Sequence, residues 1–391
     1  MRRLAPTIAL ASAALIACSG QAQQPAAPAP TSAPSPQQQS ASKPFETQVV
    51  ADFDAPWAMT FLPDRRMLVT EKAGQLLLVT ADGKSRAVVA GTPAVDSVGQ
   101  GGLMDVVLHP RFAQNRLVYL SFSEAGPGGK GVALARGRLK DGPAPRLADL
   151  RVIFRASPYV EGNGHYSGRM AFSRDGYLFF TNGDRQKFTP AQDPKATLGK
   201  VLRLNDDGTP ARGNPLAAKG FHPAVWSYGH RNLLGIAFDG AGNLWQQEMG
   251  PRHGDEVNLV LAGRNYGYPL ASNGEHYPNE PVADKNIPDH RPGDGFEAPK
   301  VWWNPAISPA GLLLYSGSMF PAWHGDLFLG GLNKPGLVRV DVNGTSATKG
   351  DFWDMDGQRI REVEQGPDGS IYVLEDGNRG SQGRLLRLTP R

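Results

Sequence analysis

The sequence is poor in several features that mark common protein classes. It contains one cysteine in 391 residues, which excludes an internal disulfide framework and a metal site built from several cysteines. The formal net charge is only +4, of which Arg2 and Arg3 contribute two. No basic run is interleaved with aromatic residues, so no nucleic-acid partner is expected. No convincing amphipathic helical stretch follows the N-terminal segment.

The N-terminal residues have the pattern of an export signal. Two arginines precede an apolar segment, residues 4–17, that is too short to span a bilayer. The segment ends in Leu15-Ile16-Ala17-Cys18, which resembles the lipobox of bacterial lipoproteins and implies a lipid anchor on Cys18. An ordinary cleaved export signal is the alternative. The next residues are rich in Gln, Ala, Pro and Ser, as in a flexible tether.

This pattern predicts three parts: a lipoprotein signal peptide over 1–17, a disordered tether over 18–44 and a folded domain over 45–391. The protein is therefore expected in the periplasm. Ser19, which follows Cys18, favours the outer membrane by resemblance to lipoprotein sorting patterns. Membrane contact is expected only through the lipid on Cys18.

Turn-forming residues, in contrast, are abundant. The chain contains 47 Gly and 33 Pro among many short apolar runs, as all-β proteins do. From Phe45 onward, a Pro, Asp or Gly turn followed by an apolar strand occurs six times, roughly 45 to 85 residues apart, which is the spacing of propeller blades that carry insertions. The six segments are 62–70, 109–121, 173–180, 239–245, 324–329 and 366–374.

These repeats predict an all-β fold, a six-bladed β-propeller of four-stranded antiparallel blades. Closure of the ring buries the sheet edges that so many strands otherwise expose. A pair of β-sandwiches is the rival, but it requires a linker near the middle, and no shift in composition marks one. The widest gap between repeats contains the polar segment 272–300, which is expected to be an insertion on one face.

The stretch 226–269 concentrates polar residues around two short apolar runs. Residues 233–238 and 243–247 are predicted strands, separated by the turn-forming residues 239–242. The segment 248–256 is too rich in Gly, Pro and charge for a strand or a helix. We expect it to be a loop that presents a functional site.

Two polar residues flank a predicted strand pair and could form a catalytic unit. His165 lies in a loop immediately before an apolar strand, so it is not expected to be a buried packing histidine. Histidine is the side chain best suited to accept a proton near neutral pH. Asp184 follows the strand pair, and a hairpin could bring its carboxylate beside the imidazole. The glycines on both sides of Gln100 would let the backbone approach a planar ligand closely, but on this motif alone a plain turn is the favoured interpretation.

Other clusters suggest binding of a metal ion and of an anion. Backbone carbonyls at Gly250-Pro251 with the carboxylate of Glu256 and with Tyr266 form a hard oxygen environment that suits calcium. Three late cations, Lys334, Arg359 and Arg361, suit a polyanionic ligand, or are ordinary surface charge.

Taken in order, the segments 99–103, 164–169, 226–232, 250–256 and 359–361 resemble the soluble quinoprotein sugar dehydrogenases, the glucose/sorbosone dehydrogenase group. The bacterial aldose sugar dehydrogenase branch is the most similar, and the resemblance extends from about Phe45 to Leu388. It implies a six-bladed propeller that binds pyrroloquinoline quinone (PQQ) with calcium. The implied reaction oxidises an aldose sugar at C1 to a lactone, with hydride transfer to the quinone.

The resemblance also assigns roles to individual residues. It implies that His165 is the general base, that Asp184 orients it and that Arg231 lies beside the quinone oxygen where negative charge develops. It implies two calcium positions, one at the carbonyls of Gly250 and Pro251 and another at Glu256 and Tyr266. The implied cofactor contacts are Gln100, Arg231, Asn232, Tyr277, Leu332, Asn333, Lys334, Arg359, Ile360 and Arg361.

The sequence departs from the family pattern around this pocket. Leu233 and Leu234 replace a frequent Pro-Gln pair, Met249 stands where a histidine is frequent, and Gly164 precedes His165. The preferred sugar therefore stays open, as does the electron acceptor. Two other functions are consistent with a propeller: a calcium-dependent lactone hydrolase, and a non-catalytic carbohydrate or cell-envelope binding module. The three late cations disfavour the first, and the pairing of His165 with Asp184 disfavours the second.

Overall fold

The computed structural model describes residues 39–391. The predicted signal peptide, Cys18 and most of the predicted tether lie outside these residues. Ala41 already contacts the folded part, because its N–H donates to the carbonyl of Phe352 at 2.8 Å. Among the described residues, no helix has the length and apolarity needed to cross a membrane.

Residues 39–391 form six four-stranded sheets. The first strand is β1 (Phe45–Asp52). Five sheets of consecutive strands follow: β2 (Pro56–Phe61), β3 (Met67–Glu71), β4 (Gln75–Val79), β5 (Arg86–Val88); β6 (Leu103–Leu108), β7 (Leu117–Gly126), β8 (Gly129–Lys140), β9 (Arg146–Arg155); β10 (Ser167–Phe172), β11 (Leu178–Asn182), β12 (Lys200–Leu204), β13 (Val225–Tyr228); β14 (Asn232–Phe238), β15 (Leu244–Met249), β16 (Asp255–Leu259), β17 (Val301–Trp303); and β18 (Pro309–Leu314), β19 (Leu327–Gly331), β20 (Gly336–Asn343), β21 (Ser346–Trp353).

The sixth sheet joins the two ends of the described chain. It contains β22 (Ile360–Gln365), β23 (Ile371–Glu375) and β24 (Arg384–Pro390), with β1 as its outermost strand. Helical segments within residues 39–391 are short: α1 (Phe112–Asn115) and the 3-10 turns Thr189–Ala191, Ala217–Lys219 and Pro321–Trp323.

The first strand of each sheet contacts the first strand of the next, and β22 contacts β2, which closes the ring. The predicted six-bladed propeller of four-stranded antiparallel blades is thereby confirmed. The closure is fixed by the antiparallel pairing of β1 with β24, from Phe45 opposite Pro390 to Asp52 opposite Arg384. Phe45 is buried and packs edge-on against Trp353 and Trp323. Burial of such a ring stabilises the closed form by about 1.5–3 kcal/mol.

All six predicted turn-and-strand segments have the same place in their blades, since each contains the turn between the first and second strands and part of the second strand. The aspartates explain the turns. In the fourth blade, Asp239 Oδ1 accepts hydrogen bonds from the N–H groups of Ala241 and Asn243 at 2.9 and 2.8 Å. In the sixth blade, Asp368 Oδ1 accepts one from Ser370 N at 3.0 Å. These short-range bonds reverse the chain locally.

The predicted strands of the fourth blade are confirmed as β14 and β15, but the predicted loop 248–256 is too long. Glu248 and Met249 end β15, and Asp255 begins β16, so the loop is confined to residues 250–254. The polar residues at the two ends of this segment belong to strands and not to a loop. Glu248 lies directly opposite Glu256 in the ladder, and both are buried. The predicted insertion 272–300 lies in the long connection 260–300 between β16 and β17.

Candidate active site

A cavity of about 700 Å³ lies at the end of the propeller where the first strands of several blades begin. Ser167, Asn232 and Arg361, at the starts of β10, β14 and β22, are part of its lining. The size is typical of a pocket for a small ligand or cofactor. The cavity brings together the following residues singled out from the sequence: Gln100, His165, Arg231, Asn232, Gly250, Pro251, Tyr277, Leu332, Asn333, Arg359 and Arg361.

His165 and Asp184 are paired at one side of the cavity. His165 Nδ1 lies 2.7 Å from Asp184 Oδ1. The β10–β11 hairpin explains the contact. Ser167 is opposite Asn182 in the ladder, and His165 and Asp184 each lie two residues beyond that pair, so they meet. Asp184 Oδ1 also accepts the N–H of Gln186 at 3.1 Å. His165 is buried rather than exposed in its loop, with 7% of its side chain accessible.

The loop before His165 is held on both sides. Gln100 Oε1 accepts the backbone N–H of His165 at 2.7 Å. Gly99, beside Gln100, has φ +65, and a Cβ there would lie 2.5 Å from the carbonyl oxygen of Asn163. Only glycine therefore permits this close approach without a shift of the backbone. The guanidinium of Arg185 donates to the carbonyls of Gly162 and Gly164.

The environment favours a neutral imidazole at His165. Burial lowers the pKa of His165, and the nearby Arg231 lowers it further, against the opposing effect of Asp184. For Asp184, burial acts to raise the pKa, but the contact with His165 and the charge of Arg231 outweigh it and hold the pKa below its ordinary value. A neutral imidazole beside an ionised carboxylate is the arrangement that a general base requires.

Arg231 connects this pair to the end of β15. Its Nη1 donates to the carbonyls of Gly250 at 2.5 Å and Met249 at 3.2 Å. Its backbone N–H donates to Glu248 Oε2 at 2.5 Å. Glu248 Oε1 in turn lies 3.0 Å from His230 Nδ1. The side chain of Arg231 is 5% exposed, so its orientation is fixed by buried partners.

Another part of the cavity lining is cationic. Arg359 Nε and Arg361 Nε each donate to a different oxygen of Asp376 at 2.8 Å, and Arg359 Nη1 donates to the carbonyl of Leu332 at 2.6 Å. Lys72 from the first blade also lines the cavity, and its ammonium donates to the carbonyl of Gly99 at 2.5 Å. Arg379 is a further lining residue and is exposed. Two of these four cations are paired with one carboxylate, Asp376, so this part of the lining has a surplus of positive charge.

Five of the residues singled out from the sequence do not line this cavity. Asp184 acts from behind His165. Ile360 is fully buried, and the ammonium of Lys334 lies 3.9 Å from the ring centroid of Phe352. The other two, Glu256 and Tyr266, line a smaller adjoining cavity, which shares Arg231, Met249, Gly250 and Pro251 with the main one.

The smaller cavity has a volume of about 10 Å³, room for one water molecule or one ion. Glu248 and Glu256 both line it. Burial, followed by the charge of Glu248, raises the pKa of Glu256 well above its ordinary value. The phenolic oxygen of Tyr266 is engaged with the backbone, since it donates to the carbonyl of Leu259 at 2.5 Å and accepts the N–H of Leu261 at 2.8 Å.

Sequence reasoning missed several lining residues. Asp376 directly follows the apolar strand β23 and precedes Gly377 and Asn378, the same pattern as in the other polar clusters, so the sequence does mark it. Lys72 follows β3 in the same way. Glu280 lies in an insertion with no periodic pattern, so no local signal marks it. Across residues 39–391, no group of three or more His, Cys, Asp or Glu side chains is arranged to hold a metal ion.

Comparisons with known proteins agree with this architecture. The glucose/sorbosone dehydrogenase family profile matches residues 53–387. The chain is 40% identical over 346 residues to the aldose sugar dehydrogenase YliI of Escherichia coli strain K12, covering 86% of this chain and 91% of that protein. The crystal structure of the soluble aldose sugar dehydrogenase of E. coli, in its apo form, superimposes with a TM-score of 0.83 at 39% identity, over 89% of this chain and all of that one.

A second solved structure is the PQQ-bound aldose sugar dehydrogenase of Streptomyces coelicolor. It superimposes with a TM-score of 0.73 at 27% identity, over 89% of this chain and 98% of that chain. These relatives are dehydrogenases, which are oxidoreductases. The chain belongs to the glucose/sorbosone dehydrogenase family.

Proposed function

We propose that this protein oxidises aldose sugars at C1 to lactones, with PQQ as the electron acceptor and calcium as a second cofactor. The observation that carries the proposal is the paired His165 and Asp184 on one side of a cavity whose other side is cationic. A binding module has no use for a buried, oriented base, and a lactone hydrolase has no use for the cationic side. A relative with 27% identity was solved with PQQ bound.

His165 is the general base in this proposal. Asp184 accepts the Nδ1 proton of His165, so the lone pair of Nε2 is available to the cavity. Nε2 takes the proton of the C1 hydroxyl as the C1 hydrogen leaves with its electron pair, and C1 becomes the lactone carbonyl carbon. Asp184 stabilises the resulting imidazolium. General-base catalysis of this kind contributes about 10²–10⁴-fold to the rate.

The cationic side fits PQQ, which carries three carboxylates. Arg359 and Arg361, fixed by Asp376, and Lys72 present donors to such a polyanion. Gln100, Asn232, Tyr277, Leu332 and Asn333 supply further contacts to it. When bound, PQQ supplies the two-electron acceptor chemistry that no side chain offers. Arg231, buried beside His165, stabilises negative charge that develops during the reaction.

Two places fit calcium. The carbonyls of Gly250 and Pro251 line the main cavity and offer hard oxygen ligands, although Gly250 already accepts from Arg231 and has one lone pair left. The small cavity beside Glu248, Glu256 and Tyr266 holds two buried carboxylates, whose mutual repulsion a cation offsets. Calcium supplies Lewis-acid chemistry at the first site and charge compensation at the second.

The N-terminal pattern supports export and a lipid anchor on Cys18, and hence a periplasmic site of action on the outer membrane. Metabolic labelling with palmitate tests this part. Wild-type protein is expected to incorporate label and the C18S variant is not. Labelling of C18S would place the anchor elsewhere, and absence of label in both would favour an ordinary cleaved signal.

The reaction is tested by dye reduction with purified cofactor-free protein and glucose, before and after addition of PQQ and calcium. Activity is expected only when both are present, and a chelator is expected to abolish it. A panel of aldoses then ranks the substrates. No dye reduction with any aldose, together with an unchanged PQQ absorption spectrum on mixing, would contradict the proposal and favour the hydrolase or the binding module.

A further inference from the structure

The connection 260–300 carries a carboxylate into the main cavity. Glu280 lies in this connection, and it lines the cavity together with its neighbours Tyr277 and Asn279. No other part of the insertion contributes an acidic side chain to the lining. Its side chain is 17% exposed, so it is neither a solvated surface charge nor a fully enclosed one.

One oxygen of this carboxylate is held in place. Glu280 Oε2 lies 2.7 Å from His276 Nδ1 and accepts the backbone N–H of Tyr277 at 3.1 Å. The ring of His276 packs edge-on against Phe188, with centroids 5.1 Å apart, and Phe188 N donates to Asp184 Oδ2 at 3.3 Å. The position of Glu280 is therefore coupled to the loop that follows Asp184.

The other oxygen is directed to the catalytic side of the cavity. Within the described residues, the hydrogen bonds to the Glu280 carboxylate all go to Oε2. Oε1 lies 3.9 Å from Arg231 Nη2, beyond hydrogen-bond distance, so it retains its capacity to accept. Arg231 is also the cation that acts on His165. Glu280 Oε1 and the proposed base thus face the same arginine.

We infer, on the basis of the proposed sugar oxidation, that Glu280 is a substrate-recognition residue that accepts hydrogen bonds from hydroxyl groups of a neutral sugar and disfavours sugars that carry a carboxylate or phosphate. An ionised carboxylate accepts hydroxyl protons in short, strong hydrogen bonds. The same charge repels a second anion in a site of low dielectric constant. Selection of neutral aldoses therefore follows from a carboxylate whose Oε2 is anchored and whose Oε1 accepts from the sugar.

The charges around the base support this assignment. Arg231 and Arg185, the two cations that act on His165, are balanced there by Asp184 and Glu280, and burial favours the neutral form of His165. This side of the cavity therefore has no surplus positive charge to attract an anionic sugar, unlike the side formed by Lys72, Arg359 and Arg361. An anionic sugar meets no surplus of cations next to His165, because Arg231 is already balanced, whereas neutral hydroxyls have an acceptor in Glu280.

The test compares the Glu280→Gln and Glu280→Asp variants with a matched control, Asp284→Asn, which removes an exposed carboxylate from the same insertion outside the cavity lining. Each PQQ- and calcium-loaded protein is assayed with glucose, glucosamine and glucuronate, and kcat and KM are separated. The equilibrium Kd for PQQ and the thermal midpoint confirm that each variant is folded and loaded.

For Glu280→Gln, KM for glucose is expected to rise about tenfold, the effect of losing a hydrogen bond to a charged group, while kcat stays within about twofold. The kcat/KM ratio of glucose to glucuronate is expected to fall at least about tenfold. Glu280→Asp keeps the charge but shortens the side chain, so it should raise KM for glucose and still reject glucuronate. Asp284→Asn should match wild type.

Three distinct outcomes would overturn the inference. If wild type oxidises glucose and both Glu280 variants keep its KM and its preference, Glu280 is only a structural partner of His276. If wild type oxidises no sugar although it binds PQQ, the proposed function fails first and the inference falls with it. A tenfold loss of PQQ affinity in Glu280→Gln, with unchanged KM, would also assign Glu280 to the cofactor instead.

Discussion

The cavity has two unlike sides. The base side consists of His165, Asp184 and Arg231, which are all buried. His165 is hydrogen-bonded to Asp184, and Arg231 is hydrogen-bonded to Glu248. The cationic side is partly exposed, and all of its members carry the same positive charge: Lys72, Arg359, Arg361 and Arg379. Proton abstraction depends on one atom in one place, whereas anion binding tolerates redundancy. Substitutions on the two sides should therefore differ in kind as well as in size.

The largest effect is expected for His165→Ala on the base side. Turnover should fall by about 10²–10⁴-fold because the substitution removes the group that takes the C1 proton in the proposed mechanism. The Kd for PQQ should change little, since the cationic side is untouched. Steady-state kinetics with saturating PQQ and a spectroscopic PQQ titration give the two values. Unchanged turnover would remove His165 from the mechanism.

Asp184→Asn should lower kcat by about 10²-fold, less than loss of the base itself. An asparagine can donate to Nδ1, which places the imidazole proton on Nε2 and blocks proton abstraction. The substitution also removes the carboxylate that raises the pKa of His165, so residual activity should persist to lower pH. A kcat–pH profile is the measurement, and a full-activity variant with an unshifted profile would contradict the role.

On the cationic side, single substitutions should weaken PQQ binding instead of turnover, and their effects should be smaller than those on the base side. Arg361→Gln and Lys72→Met are each expected to weaken PQQ about tenfold, with kcat restored at saturating PQQ. The matched comparison is Lys334→Met, whose ammonium lies over Phe352 outside the lining; its Kd should stay within about twofold. Equilibrium titration of cofactor-free protein distinguishes them. A larger loss of PQQ affinity in Lys334→Met than in Lys72→Met would assign the cofactor contact to Lys334 instead of Lys72.

The smallest effect is a shift of the acid limb of the wild-type pH profile. The base must be neutral, so activity rises with pH through the pKa of His165 and is full above it. Burial lowers that pKa below the ordinary 6.5, and half-maximal kcat should therefore lie below pH 6.5. A midpoint above 6.5 would show that Asp184 dominates over burial and would weaken the contrast between the two sides.

The base side was largely predictable from sequence, and the cationic side only in part. His165 and Asp184 flank one hairpin, and antiparallel pairing of Ser167 with Asn182 must bring them together. Lys72 and Arg361 meet only because the ring closes, which no local pattern describes. A motif also gives the position of a lysine in the chain without the direction of its side chain, as Lys334 shows.

Glu280 marks the limit of pattern-based reasoning. Its segment has no strand period, and its one local turn, in which Glu280 N–H donates to the carbonyl of Tyr277 at 3.0 Å, does not indicate where the segment packs. Its place in the cavity depends on contacts such as that of His276 with Phe188, which are distant in sequence. Packing between separate blades and insertions is non-local, so it becomes visible only in three dimensions.

The pairing of β1 with β24 has a consequence for how the protein is made. The outermost strand of the last blade is synthesised first and its partner last, so the ring cannot close until residues 384–390 are available. Contacts this distant in sequence are slow to form. In the export proposed above, the last blade would form only after both of its parts had reached the same side of the membrane.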